Sequence, residues 1–197
     1  MQECRITATD IACRRGDRIL FRGLGFALAG GEALHLSGAN GIGKSSLMRI
    51  LAGLLRPFAG TVERTGSIAL ADERPALDGH LPLERALAFW AQMDGAAAKA
   101  ASTEAVEAFG LSDLLDVPVR FLSTGQRKRA TLARMAASGA DIWLLDEPLN
   151  GLDQQWSAIA QSCIAEHCAR GGIAVIASHQ PLMLAGLRQL ALADFVP

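Results

Sequence analysis

The chain has 197 residues, half of them hydrophobic, a formal net charge of −1 and a mean hydropathy of +0.23. That length suffices for one domain with a proper core, and the near-neutral charge leaves no electrostatic footprint for nucleic acid, which is not expected as a partner. No apolar run approaches the roughly 18 residues that cross a bilayer, so the apolar excess points to a surface covered by a partner.

The first residues lack a basic-then-apolar organisation, so no secretory signal is expected. The four cysteines, Cys4, Cys13, Cys163 and Cys168, are accordingly expected to be reduced, in a cytosolic compartment. Short strands with turn punctuation are predicted over residues 6–12, 18–20, 25–28 and 33–37. A glycine-rich loop follows, then a helix with Leu47, Ile50, Leu51 and Leu54 on one stripe, closed by Gly53 and Pro57. Two more strands are expected over 61–63 and 67–70.

Residues 83–137 are helical in composition, with candidate helices over 83–93 and 96–109, breaks at Gly110 and Pro118, and a further helix after Ser123. Then come a strand over 142–146, a helix over 154–170 and a strand over 173–177. The pattern is α/β, a single domain over 1–197 with a helical subdomain of about 83–137 inserted in it. Cys163 and His167 stand four apart on the last helix, the spacing of a metal pair. Trp156, Ile159, Ala160, Cys163 and His167 also share one helical stripe, which reads as a core-facing side.

Gly38, Ala39, Asn40, Gly41, Ile42, Gly43, Lys44 and Ser45 match G-x4-G-K-[ST] between an apolar strand and an apolar-striped helix. Glycines there let successive N–H groups converge on a phosphate, and the helix N-terminus adds partial positive charge. Lys44 is expected at the β- and γ-phosphates of ATP, and Ser45 on Mg²⁺; Ser46 completes the ATP-binding set. The apolar strand Ile142–Asp146 runs into Glu147 and Pro148, aiming two carboxylates out of the sheet edge where ligands sit in such folds. Asp146 is the second candidate in the Mg²⁺ shell, and Glu147 is placed to polarise an attacking water. Ser123, Thr124, Gly125 and Gln126 open a helix; Ser123 and Gln126 form a capping box, and a capped helix N-terminus is also an anion site.

The loop at 38–45, the segment 122–126, the strand end at 144–148, Asn150-Gly151-Leu152-Asp153 and Ser178-His179 stand in the order and spacing of ABC-type ATPase subunits. The chain resembles that family over nearly its whole length. The resemblance implies a P-loop NTPase core with N-terminal antiparallel strands and the helical insertion, and hydrolysis of Mg-ATP. It further implies a head-to-tail homodimer in which Ser123, Thr124, Gly125 and Gln126 serve the partner's nucleotide. Asp153 then belongs to the loop contacting the other subunit, and His179 is the histidine at the γ-phosphate.

Leu20-Phe21-Arg22-Gly23-Leu24, Leu51-Ala52-Gly53-Leu54 and the run from Gly171 to Leu182 are similar to ATP-binding subunits of bacterial cytochrome c maturation, or haem exporter, systems. This implies a peripheral protein on the cytoplasmic face of the inner membrane, an integral membrane partner subunit, and a client process in haem delivery or release. Another transported client, or a soluble ATP-switched assembly module, are the competing functions. The chain departs from the pattern in having no tyrosine to stack on adenine. Arg14 or Arg15 stands near that position as a stacking guanidinium or as part of a solvated turn. Thr124 replaces a glycine, and Glu73 is the expected counterpart of the coupling-loop glutamine.

Overall fold

A computed structural model describes residues 4–73 and 76–197. Among these the chain divides into two compact units. One comprises Met1–Leu70, Ala140–Glu147 and Ala165–Pro197; the other comprises Ala71–Gly139 and Pro148–Ile164.

The first unit is built on two sheets. Strands β1 (Arg5–Arg15), β2 (Arg18–Ala29) and β4 (Ala59–Thr65) form an antiparallel sheet in the order β2-β1-β4. The second sheet has the order β5-β6-β7-β3-β8, from β3 (Ala33–Ser37), β5 (Ile68–Ala71), β6 (Ile142–Asp146), β7 (Ile173–Ala177) and β8 (Arg188–Ala191). The pairs β3–β7, β3–β8 and β6–β7 are parallel. All five residues of β6 and all five of β7 are buried, as expected for strands covered on both faces. Helix α1 (Lys44–Leu51) buries Leu47, Met48, Ile50 and Leu51 into one core with Ile6, Phe21, Leu34, Leu36, Leu144 and Val175.

Three local readings need correction. Residues 18–29 form one strand, not two, because the antiparallel register is carried past Gly23 by bulges in β1, where Asp10 takes φ 51°. Helix α1 stops at Leu51: Gly53 turns left-handed at φ 79°, and Arg64 donates to Leu51 O at 3.1 Å. Leu54 is therefore off the stripe and 71% exposed. In α5 (Gln154–Ala169) the fully covered positions are Ala160, Ile164 and His167, while Cys163 is half-buried, so the inward stripe is rotated from the predicted one. Strand β8 was not anticipated, because Arg188-Gln189-Leu190-Ala191 carries no alternation and no β-branched residue.

Asp141 ties β5 to β6. Its Oδ2 accepts from Ser67 N at 2.7 Å and Ser67 Oγ at 2.8 Å, and these bonds hold its carboxyl below the usual carboxylate value.

The second unit consists of α2 (Leu83–Asp94), α3 (Ala96–Ala108), α4 (Thr124–Ala137) and the first turns of α5. Helix α3 packs on α2 and α4. The Arg134 guanidinium lies over Trp90 at 4.5 Å, and that of Arg129 over Trp156 at 4.1 Å. The capping box of α4 is complete: Ser123 N donates to Gln126 Oε1 at 2.7 Å and Gln126 N donates to Ser123 Oγ at 3.2 Å.

His167, 7% exposed, stacks on Trp143 at 4.0 Å and 9°, and its Nε2–H donates to Ile173 O at 3.2 Å. A Cβ on Gly172 would strike the ring, so the α5–β7 turn needs glycine there. Burial pushes the His167 value below that of an ordinary imidazole, with the Ile173 bond opposing and the Arg170 charge adding to the shift. The unfolded chain thus takes up a proton first as pH falls. The His167 contribution is complete above pH of about 6.5 and is lost as pH drops through the folded-state value. Urea midpoints from pH 7.5 to 5 should fall for the wild type and fall less for His167→Phe, which keeps a ring against Trp143 without a titrating group.

Candidate nucleotide site

Strand β3 delivers the chain into the glycine loop, and α1 leaves it. Gly43, the N-cap of α1, has φ 119°, and a Cβ there would sit 3.1 Å from the Phe21 ring. No other residue serves both the dihedral and the close approach to the β2 side chain. The next residue, Lys44, is 6% exposed, and its ammonium turns back on the loop, donating to Gly38 O at 2.7 Å and Ala39 O at 3.4 Å. Ser45 and Ser46 follow in the first turn, both half-buried. A cavity of about 510 Å³ adjoins the loop, lined by Arg18, Leu20, Ala39, Asn40, Gly41, Ile42 and residues of the last turn.

At the end of β6, Asp146 is buried at 3% exposure. Glu147 leaves the strand with φ 47°, a left-handed conformation that costs a non-glycine residue about 1–2 kcal/mol. Its N–H donates to Ala177 O at 2.8 Å, which pins the turn to β7. The twist aims the carboxylate at two cationic or donor groups. Glu147 Oε1 is 3.8 Å from Lys44 Nζ, and Oε2 accepts from His179 Nδ1 at 3.0 Å. His179 is 52% exposed beside this, just past the end of β7. Lys44, Glu147 and His179, far apart in sequence, therefore meet within one unit, with Asp146 and Ser45 on the packed pair β6 and α1.

Such an arrangement suits a polyanion. A glycine loop at a helix N-terminus offers backbone donors, and Lys44 offers a charge that can exchange a carbonyl for a phosphate. A buried carboxylate and a nearby hydroxyl are the hard oxygen donors that Mg²⁺ takes. Glu147, fixed from two sides, is a carboxylate with direction.

Of the remaining predicted residues, Glu73, Ser123, Thr124, Gly125, Gln126 and Asp153 lie in the second unit. Ser123 caps α4, and Gly125 touches the loop at Gly151, whose carbonyl O would be 2.8 Å from a Cβ on Gly125. Asp153 caps α5, its Oδ1 accepting from Trp156 N at 2.9 Å. Glu73 is exposed, its N–H donating to Asp72 Oδ1 at 2.7 Å. In the first unit, Arg14 and Arg15 are both exposed at the β1–β2 turn, with Arg14 lying over Phe58 at 4.5 Å. Sequence reasoning missed His35 near the site, and gave Ser178 no role beyond its place beside His179. The signal for the former was a histidine inside the apolar run of β3.

The sequence model of the ABC transporter family matches residues 21–150. A protein of Novosphingobium aromaticivorans named "Cytochrome c biogenesis ATP-binding export protein CcmA" is 70% identical over 197 residues, all of both chains. One of the same name from Zymomonas mobilis is 53% identical over 192 residues, 98% of this chain and 86% of that one. Among solved structures, a Pyrococcus furiosus chain described as an ABC transporter ATP-binding protein superposes with a TM-score of 0.86 over 98% of this chain and 100% of that one. Its identity is 22%, so it speaks for the fold alone.

The left-handed turn at Glu147 has a measurable cost. Glu147→Ala and Glu147→Gly lose the same carboxylate, but only glycine relieves the backbone. Glu147→Gly should be the more stable of the two by about 1 kcal/mol, equivalent to roughly 2–4 °C in Tm. Equal melting temperatures would mean that the turn relaxes without the side chain.

Proposed function

Since the chain belongs to the ABC transporter family of ATP-binding proteins, we propose that it hydrolyses Mg-ATP as the ATPase subunit of a complex in c-type cytochrome biogenesis. The observation that carries the hydrolytic reading is the carboxylate of Glu147, held between Lys44 and His179. The biogenesis reading rests on full-length relatives whose names give that process.

In this reading the loop from Gly38 to Ser46 holds the phosphates, and Lys44 gives up Gly38 O for the β- and γ-oxygens. Ser45 and Asp146 would hold Mg²⁺, whose charge offsets that of the phosphate oxygens when bound. Glu147 accepts a proton from the attacking water as its oxygen bonds to the γ-phosphorus. The bond to the β–γ bridging oxygen breaks, and ADP departs with the electron pair. His179 holds Glu147 in direction and faces the γ-phosphate. Arg15 is the adenine-stacking group, since the Arg14 guanidinium is already engaged with Phe58.

The two units act as one functional domain spanning 1–197. The active species is a homodimer in which Ser123, Thr124, Gly125 and Gln126 contact the partner's nucleotide and Asp153 lines the subunit boundary. Glu73 belongs to the loop that couples the site to an integral membrane subunit. The chain sits peripherally on the cytoplasmic face of the inner membrane, and turnover drives haem export or release of a haem-loaded chaperone. Among the described residues no helix is long and apolar enough to cross a membrane, so this role needs such a partner.

Lys44→Ala should abolish ATP binding. Glu147→Gln should keep binding, lower hydrolysis by about 10²–10⁴ and accumulate an ATP-bound dimer on size exclusion. A monomeric, fully active Glu147→Gln protein is the result that sinks the proposal.

Subunit exchange tests the composite site. Lys44→Ala and Ser123→Arg should each be inactive as homodimers, yet a mixture contains dimers with one undamaged site. Partial recovery of phosphate release on mixing is expected. Wild-type turnover by Ser123→Arg alone would remove that serine from the site.

A further inference from the structure

His35 lies three residues before Gly38, in the middle of β3. Its neighbours Leu34 and Leu36 belong to the hydrophobic core, whereas His35, itself 7% exposed, lines a groove shared with Gly38, Ser178 and His179, about 490 Å³ in volume. A strand between two parallel neighbours ordinarily carries an apolar side chain at such a position. A polar ring there is tolerated only with a hydrogen bond. The bond is made to Ser178, whose carbonyl O is 2.9 Å from His35 Nε2. A carbonyl only accepts, so Nε2 carries the hydrogen.

The placement of this bond gives it meaning. The β3–β7 register ends at Leu36–Ala177; Ser178 N donates to Leu36 O at 3.3 Å, and the His35 bond adds a second, shorter hold on Ser178, on its carbonyl, at the turn that bears His179. Ser178 is fully buried and reinforces the turn, its Oγ accepting from Gln180 N at 2.9 Å. His179 follows directly and donates to Glu147 Oε2 at 3.0 Å. One side chain on the strand that feeds the phosphate loop thus grips the backbone beside the residue that orients the carboxylate.

We propose that His35 is a positioning residue for hydrolysis: it anchors the Ser178 carbonyl and so fixes His179 against Glu147. This rests on the reading of Glu147 and His179 as the hydrolytic pair. A histidine that merely fills the core would act on stability alone. A positioning histidine acts through His179, so its effect depends on His179 being present.

The test uses His35→Met, which keeps volume without a donor, and His35→Gln, whose amide N–H reaches about as far as Nε2. Two readouts are taken, hydrogen exchange at the Gln180 amide and steady-state ATP turnover. His35→Met should speed Gln180 exchange by up to about tenfold, the loss of one net hydrogen bond. It should lower kcat by about tenfold or more while KM for ATP stays within about twofold, with His35→Gln recovering most of both. In a His179→Ala background, His35→Met should cost no further kcat.

Unchanged Gln180 exchange in His35→Met overturns the inference whatever the turnover. The same fractional loss of kcat in both backgrounds also overturns it, because His35 then acts elsewhere. If His179→Ala itself keeps wild-type turnover, the hydrolytic reading of that residue fails instead, and the exchange measurement alone decides the anchoring. Should His35→Met not fold, His35→Asn, too short to reach the carbonyl, replaces it in both measurements.

Discussion

A lysine ammonium at 6% exposure must find compensation, since a buried charge without partners costs several kcal/mol. Lys44 finds it in two carbonyls of its own loop and in Glu147. The loop is therefore closed by the cation it presents, as well as by glycines that permit the path. The same ammonium draws in the end of β6 through Glu147, whose N–H in turn grips the end of β7. Three parallel strands, β3, β6 and β7, converge on one charge at their carboxyl ends. A nucleotide would not have to build this arrangement; it would replace its carbonyls with phosphate oxygens.

Much of this was legible in the sequence because it depends on local signals. Strands β6 and β7 were read to the residue, since a parallel strand buried on both faces is an unbroken apolar run. The α4 start was readable because a capping box lies within four residues. Leu54 was misread because its spacing fits a helix that Gly53 and Arg64 had already ended. Strand β8 stayed hidden because its strand character comes from pairing with β3 and not from its own residues. His35 was missed for the same reason: its bond to Ser178 joins residues 143 positions apart.

The second unit shows how one group can hold two duties. The Ser123 oxygen accepts the Gln126 amide as a cap, yet a hydroxyl has a hydrogen to donate as well. Capping α4 and donating to a phosphate are thus compatible on one side chain, and neither excludes the other. Gly125 meets the same need from the backbone side, since its contact with Gly151 leaves no room for a Cβ. That close approach joins the start of α4 to the loop ahead of α5.

The aromatic inventory has an optical consequence. With three tryptophans and no tyrosine, ultraviolet emission from this chain is indole emission. Trp143 lies in the first unit against the His167 ring, while Trp90 and Trp156 lie in the second, each under an arginine. Each compact unit therefore contains its own fluorophore beside a polar or charged neighbour whose displacement changes its brightness. Removing Trp143 leaves a signal from the helical unit alone, and removing the other two leaves one from the first unit, so the chain comes already labelled for watching its two halves separately.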